Sequence, residues 1–278
     1  MIAAPIQKSP SVSVLMAVYH SDHPQHFAAS LDSLRPFTAQ LDSIVLVADG
    51  PLSEQLELVI SERKLVLGID LVRLSVSRGL GEALNAGLRH AKSDYVLRMD
   101  SDDLSRPERL DVLLQHLAEN PDLDVIGSFI AEFNDDPSAS QAIRRVPLAH
   151  KEIARLMRLR CMMNHVTCLL RREAILNVGG YQGAKGFAED WWLWARLLRN
   201  NARFANVSNI LVDVRVGNGF IERRRGFWML KQDLRLMRMM LNIGFINWSQ
   251  LMLLLPMKLL QRFLPARLLA VIYARLRQ

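Results

Sequence analysis

Through the first hundred residues, short apolar runs alternate with stretches of helical character. Val12 to Val18 is nearly all apolar, rich in β-branched side chains and too short for a helix, so it predicts a strand buried on both faces. A helix is expected from about Gln25 to Leu34, ending before Pro36. The same reading gives strands at Ile44–Ala48, Asp70–Leu74 and Tyr95–Met99, with helices at Ser53–Lys64 and about Gly81–Ala91 between them. Apolar strands separated by helices imply a parallel sheet covered on both faces. Ligands of such sheets lie beyond the carboxyl ends of the strands. Chemistry is therefore sought after Val18, Ala48, Leu74 and Met99.

Beyond Met99 the pattern is less regular. Ser105-Arg106-Pro107-Glu108 reads as a helix start, with Ser105 as N-cap and Glu108 closing a capping box, and the helix should run to about Asn120. Strands follow at Val125–Phe133, Thr167–Leu170 and Ile210–Val214, with helices at about Lys151–Leu159 and Glu189–Asn200 and a loop over Asn134–Ala139. From Arg223 the chain becomes rich in Arg, Leu and Met at helical spacing, and no internal repeat is present. The expected division is a catalytic domain over 1–222 and a basic, amphipathic helical region over 223–278.

Composition narrows the class. With 278 residues, half of them hydrophobic and 23% charged, the chain has ample material for a core and is not a disordered protein. Two cysteines, Cys161 and Cys168, provide neither a disulfide scaffold nor a four-cysteine metal site, and read as small buried hydrophobes. No secretion signal is expected, because the apolar run at Val12 is short and leads directly into motif-bearing sequence. Nowhere do about 18 apolar residues run uninterrupted, so no spanning helix is expected. Of the 35 Lys and Arg, 11 lie in residues 223–278 against one acid, Asp233, so the tail carries +10 and the remainder −3.

Asp100-Ser101-Asp102-Asp103 is the strongest chemical signal. It places three carboxylates after a buried strand, and Asp100 and Asp102 can point to one side of an extended segment. Carboxylates so placed suit a hard divalent cation that bridges substrate phosphates, while the plain alternative is a polar turn before the next helix. Asp49-Gly50 ends the second strand, where Asp49 can accept from a nucleobase or ribose and Gly50 permits close approach, or where the pair is simply a turn. Arg78-Gly79-Leu80-Gly81 feeds a helix whose N-terminus attracts phosphate, although its spacing is neither a P-loop nor GxGxxG, and Gly87 can serve tight packing. Glu189-Asp190-Trp191-Trp192 opens a helix. Asp190 there is either an N-cap or a general base in a partly apolar cleft.

Taken in order, Val12–Tyr19, Ile44–Gly50, Arg78–Gly87, Arg98–Asp103 and Gly179-Gly180-Tyr181 through Glu189-Asp190 resemble the family 2 glycosyltransferases of GT-A fold. The likeness spans about residues 10–217 and is nearest to bacterial enzymes that extend lipid-linked oligosaccharides for surface polysaccharides. It implies an α/β, Rossmann-like, mostly parallel sheet flanked by helices, and inverting transfer from a nucleotide-sugar donor, often a uridine diphosphate sugar. In that pattern Asp49 contacts the base, Asp100 faces ribose or metal-bound water, and Asp102 holds Mn²⁺ or Mg²⁺ on the diphosphate. Asp190 is the base of the acidic pair, with Glu189 its neighbour. His165 and Trp191 fall on the acceptor side, where His165 binds a phosphate or hydroxyl or else is structural, and Arg215 occupies a position where Arg is frequent, with a salt bridge as the plain alternative. Two departures stand out. Ala48-Asp49-Gly50-Pro51 keeps one acid where two are usual, and Ser77-Arg78-Gly79 replaces Asn-x-Gly, so that Arg78 is placed to reach a phosphate.

Two other classes share parts of this pattern. A nucleotidyltransferase acting on a sugar phosphate would carry a Gly-rich, Lys/Arg-bearing loop after the first strand, where this chain has Tyr19-His20-Ser21-Asp22. A nucleic-acid binder is suggested by a pI near 9.8, but the tail mixes arginines with long Leu/Met stretches, so no nucleic acid is expected as partner. Instead the tail is expected to lie on the inner face of the cytoplasmic membrane. Trp248 and Tyr273 would anchor it, and Lys258, Arg262, Arg267, Arg275 and Arg277 would meet anionic head groups. The alternatives are packing on the catalytic domain or on a second copy of the chain, as a homo-oligomer.

Overall fold

The computed structural model describes residues 10–140, 142–182, 188–216 and 226–265. Strands β1 (Val12–Val18), β2 (Ser43–Ala48), β3 (Ile69–Arg73) and β4 (Tyr95–Met99) alternate with helices α1 (Pro24–Asp32), α2 (Glu54–Leu67) and α3 (Leu80–His90). They pair in parallel in the order β3-β2-β1-β4. The chain thus builds outward from β1, then crosses back to its other side. The crevice beyond the ends of β1 and β4 is the switch point at which such sheets bind ligands.

The second half of the sheet is mixed. β5 (Leu104–Ser105), α4 (Arg109–Glu119), β6 (Val125–Phe133), β7 (Ala142–Arg144), α5 (His150–Leu156), β8 (Leu169–Arg171), α6 (Arg172–Asn177), α7 (Glu189–Arg199) and β9 (Phe204–Arg215) continue it as β4-β8-β6-β9-β5, with β7 on the edge of β6. β8 runs antiparallel to both β4 and β6, while β9 runs parallel to β6.

Alternate side chains of β1 feed two cores. Val14, Met16 and Val18 pack on the α1, α2 and α4 side, and Leu15 packs with Val45, Leu84 and Leu88 on the other. Gly87 is needed there: a Cβ at its position would lie 2.4 Å from a methyl of Leu15, so only glycine lets α3 approach the sheet this closely.

Three expectations are corrected. Ser105 is no N-cap: it pairs with Val212 in β5, its N–H donates to Ser33 Oγ at 3.0 Å, and α4 begins at Arg109. Strand pairing outweighs a local capping preference. β9 begins at Phe204 rather than Ile210, its early polar positions satisfied by bonds such as Asn206 Nδ2 to Pro147 O at 2.7 Å. The segment expected as a strand from Thr167 opens as a 3₁₀ turn, His165–Thr167, before β8.

The basic tail contributes α8 (Phe227–Asn242) and α9 (Trp248–Phe263), the latter started by an Asn247/Gln250 capping box. Leu236, Met237, Met240 and Leu254 share one core with Trp191, Trp192 and Trp194 of α7. The boundary at 222/223 is therefore a change of composition and not a break between cores. Lys258 and Arg262 do not face outward as expected. Both pair with Asp233 of α8, Arg262 Nε at 2.6 Å and Lys258 Nζ at 3.3 Å, because a buried carboxylate needs a countercharge. Arg267, Tyr273, Arg275 and Arg277 lie outside the described residues, and no helix among those described is long and apolar enough to cross a membrane.

Candidate active site

The exits of β1 and β4 and the starts of α3 and α7 meet at the switch point. Asp100 leaves β4 half-exposed, and the guanidinium of Arg98, which has no exposed surface, donates to its Oδ1 and to the Met99 carbonyl. Ser30 Oγ donates to the Asp100 carbonyl at 2.8 Å, which fixes the turn. From β1 comes Asp22, a residue that sequence reasoning did not assign. It accepts from Ser101 Oγ at 2.8 Å and from the Tyr19 N–H at 3.1 Å.

Withdrawal from water raises the Asp22 carboxyl above the usual range, and the charge of Asp100 adds to the effect. At Asp102 the same withdrawal, reinforced by Asp100 and Asp22, raises the pKa to about 6. Asp103 turns inward and accepts the Arg215 N–H at 2.8 Å. Burial first, then Asp100 and Asp102, pushes it well up. Arg215 also donates from Nε to the Asp102 carbonyl at 3.3 Å and caps Asn134 O at 2.9 Å, tying β9 to the acidic turn. Beneath lies a second buried guanidinium, Arg109, which donates to the carbonyls of Arg98 and Val166 at 2.6 and 2.7 Å. Complete burial lowers it to about 9.

Asp49 is 4% exposed, and its carboxylate is largely occupied from within. It accepts from Ser77 Oγ at 2.9 Å, Arg78 N–H at 2.7 Å and Gly79 N–H at 2.9 Å. That clasps the loop ahead of α3 and leaves about one of the four acceptor positions of a carboxylate for a ligand. Gly50 makes the clasp possible: its φ is +88°, and a Cβ there would lie 2.7 Å from Ser77 N. The Arg78 side chain projects into solvent from this loop.

Glu189 and Asp190 form the first turn of α7, where the helix dipole favours anions. Asp190 accepts the Trp191 N–H at 2.7 Å, with Cys161 Sγ 3.9 Å from its other oxygen. Burial, then the neighbouring Asp190, raises Glu189 to about 7; Arg98 opposes the shift and Asp100 adds to it. Asp100 and Glu189 are thus within electrostatic reach of each other across one buried arginine. α3 closes the third side, since a Cβ on Gly81 would lie 3.9 Å from that of Glu189.

The two residues expected on the acceptor side differ from that expectation. His165 Nε2 is 2.7 Å from the Tyr181 hydroxyl and its ring packs on Trp194; burial, then Arg98, lowers its pKa well below the usual value. It is a neutral floor residue. Trp191 is 6% exposed, donates from Nε1 to Met157 O at 2.8 Å and lies under Lys258, so it is packing and not cleft wall. The structure therefore sets Asp102 beside Asp100 and Asp100 within reach of the Glu189–Asp190 turn, makes Asp49 the clasp of the Arg78 loop, and adds Asp22, Arg98 and Arg215. An Arg inside an apolar strand was the available signal for Arg98.

Residues 13–179 match the family described as Glycosyl transferase family 2. The chain is 32% identical over 95% of its length to the amylovoran biosynthesis glycosyltransferase AmsE of Erwinia amylovora, covering 98% of that protein. It is 29% identical, over 96% of both chains, to the UDP-Gal:alpha-D-GlcNAc-diphosphoundecaprenol beta-1,3-galactosyltransferase of Escherichia coli. Among solved structures, the mannosyltransferase PcManGT of Pyrobaculum calidifontis, in complex with GDP-Man and Mn²⁺, matches with a TM-score of 0.60 at 17% identity, covering 97% of this chain and 81% of that one. That likeness is one of fold.

Proposed function

The chain belongs to glycosyl transferase family 2, and from that premise we propose that it is an inverting, metal-dependent hexosyltransferase of bacterial surface-polysaccharide assembly. Its donor is a uridine diphosphate sugar, and its acceptor a hydroxyl of a lipid-linked oligosaccharide presented at the inner face of the cytoplasmic membrane. The names of the Erwinia and Escherichia relatives support the substrate classes. The observation that carries the reading is the meeting of the Asp100–Asp102 turn with Glu189–Asp190 at the sheet's switch point.

The residues present fit a divalent cation. Asp102 is raised to about 6 by burial and by the like charges of Asp100 and Asp22, and a hard cation relieves that repulsion. Asp102 and Asp100 would hold the ion, with water and substrate phosphates completing its shell. When bound, Mn²⁺ or Mg²⁺ neutralises charge on the departing nucleoside diphosphate.

The remaining steps belong to the chain. Asp49 holds the Ser77–Gly79 loop so that Arg78 and the start of α3 face the diphosphate, and it keeps an acceptor position for the base. Asp190 takes the proton of the attacking hydroxyl. Glu189, raised to about 7, is only partly ionised near neutral pH, which lowers the negative charge that Asp190 faces from its neighbour. Arg98 restrains Asp100 and moderates Glu189 from below. The test is nucleoside diphosphate release from a panel of sugar nucleotides with Mn²⁺, with and without a lipid-linked acceptor. Acceptor-stimulated release from a uridine diphosphate sugar is expected; release from no donor, with or without acceptor, refutes the reading.

A further inference from the structure

Helix α9 is built inside out for a helix that faces water. Its two charged side chains, Lys258 and Arg262, turn inward to Asp233, while the opposite half of the helix is apolar apart from Ser249 in its first turn. Trp248 is 70% exposed, Met252 66% and Phe263 53%, with Leu253, Met257 and Leu260 exposed between them. Spacings of three and four residues place all six on one side. The stripe runs the length of a 16-residue helix, about 24 Å at 1.5 Å per residue. The Gly226 N–H donates to Arg262 O at 3.1 Å, so exposed Phe227 and Trp228 extend the patch at its far end. Isolated exposed apolar residues are ordinary, but a continuous stripe of this size marks a contact surface.

Charge at its other end identifies the contact. Gln250, in the first turn of α9, borders a cleft of about 360 Å³ whose other walls are Lys151, Ala154, Arg155 and Arg158 of α5 and the turn after it. The three cations are exposed, and among the described residues no carboxylate pairs with any of them. An apolar stripe with aromatic residues at both ends and an unpaired basic cleft beside it is the chemistry of an anionic bilayer surface.

We infer that this face of α9, with the α5 cleft, docks the enzyme on an anionic lipid bilayer, the apolar side chains entering the acyl boundary and the cleft seating head-group phosphate. The docking face lies one helix away from the chemistry, since Lys258, on the inner side of α9, stands 5.0 Å from the ring of Trp191, the residue after Asp190. The inference rests on the function proposed above only for its purpose, bringing a lipid-linked acceptor to Asp190.

The experiment is flotation of the full chain with phosphatidylcholine vesicles, with and without phosphatidylglycerol. Wild type should float, and more so with the anionic lipid. Met252→Glu with Leu260→Glu should lower partitioning more than roughly tenfold on both vesicles. Arg155→Glu with Arg158→Glu should lower it only on anionic vesicles, by roughly fivefold or more per cation. Lys64→Glu with Lys92→Glu, the same change of charge elsewhere, should leave it close to wild type. Absence of flotation by wild type, or equal flotation by all variants, overturns the inference. So does conversion of a dimer to a monomer by the α9 variant without loss of lipid binding, which would assign the face to a second copy. Nucleoside diphosphate release with a water-soluble acceptor, measured in parallel, separates the two readings. Residue-dependent flotation without transfer leaves docking standing and the proposed function fallen, and transfer without flotation does the reverse.

Discussion

Glu189 links the electrostatics of the site to a measurable stability. Its carboxyl is raised from 4.5 to about 7, first by burial and then by Asp190. The native state therefore binds this proton more tightly than the unfolded chain, and stability falls as pH rises from about 4.5 through 7, then stays low. At about 1.4 kcal/mol per unit the full effect is about 3 kcal/mol. Solvent reaches part of the residue, so about half of that is expected in practice. Glu189→Gln keeps the shape of the protonated form and cannot ionise. It should melt within about a degree of wild type near pH 4 and roughly 3–6 °C above it at pH 8, taking 2–4 °C per kcal/mol for a chain of this size. Differential scanning fluorimetry across pH 4–8 reads this without substrate. A gap that is the same at every pH, or one that widens toward acid, would refute the assignment of the raised group.

Three further outcomes follow from the same geometry. Asp190→Asn should keep donor affinity by calorimetry while turnover falls about 10²–10⁴-fold, the usual loss on removing a general base; near-normal turnover would count against its role. Asp102→Ala should abolish Mn²⁺-dependent binding of a uridine diphosphate sugar with circular dichroism unchanged, and unaltered affinity would remove it as a metal ligand. Arg98→Met should lower stability by about 1.5–3 kcal/mol in urea unfolding through loss of charge-assisted bonds to Asp100 and Met99, and an unchanged midpoint would show that the pair adds nothing.

The parallel half of the sheet was readable to within a residue or two, because β1, β2 and β4 are buried on both faces and leave near-unbroken apolar runs. β9 was truncated because Asn206 and Ser208 interrupt its pattern, and Asn206 is buried by bonds to a distant loop. Ser105 misled for the same kind of reason, a long-range pairing with Val212 that no local window contains. In the site, Asp100, Asp102, Glu189 and Asp190 announced themselves through position at element ends. Asp22 carries no such mark, since it sits in a polar turn after β1 and meets Ser101 only through the fold. What sequence could not disclose was direction: that Asp49 looks back at its own loop, that Trp191 is covered by α9, and that Lys258 and Arg262 point inward.

The Asp49 clasp bears on the timing of donor capture. Ordering a residue's backbone costs about 1–2 kcal/mol in lost conformational freedom, and Ser77, Arg78 and Gly79 are each held by that single carboxylate. Folding has already met that expense, so on the function proposed above a nucleotide reaching the crevice would meet a loop held by its own chain, not one that must first be gathered around the ligand. Association of such a donor would then be set by diffusion and charge, with no ordering step of this loop subtracted from its affinity.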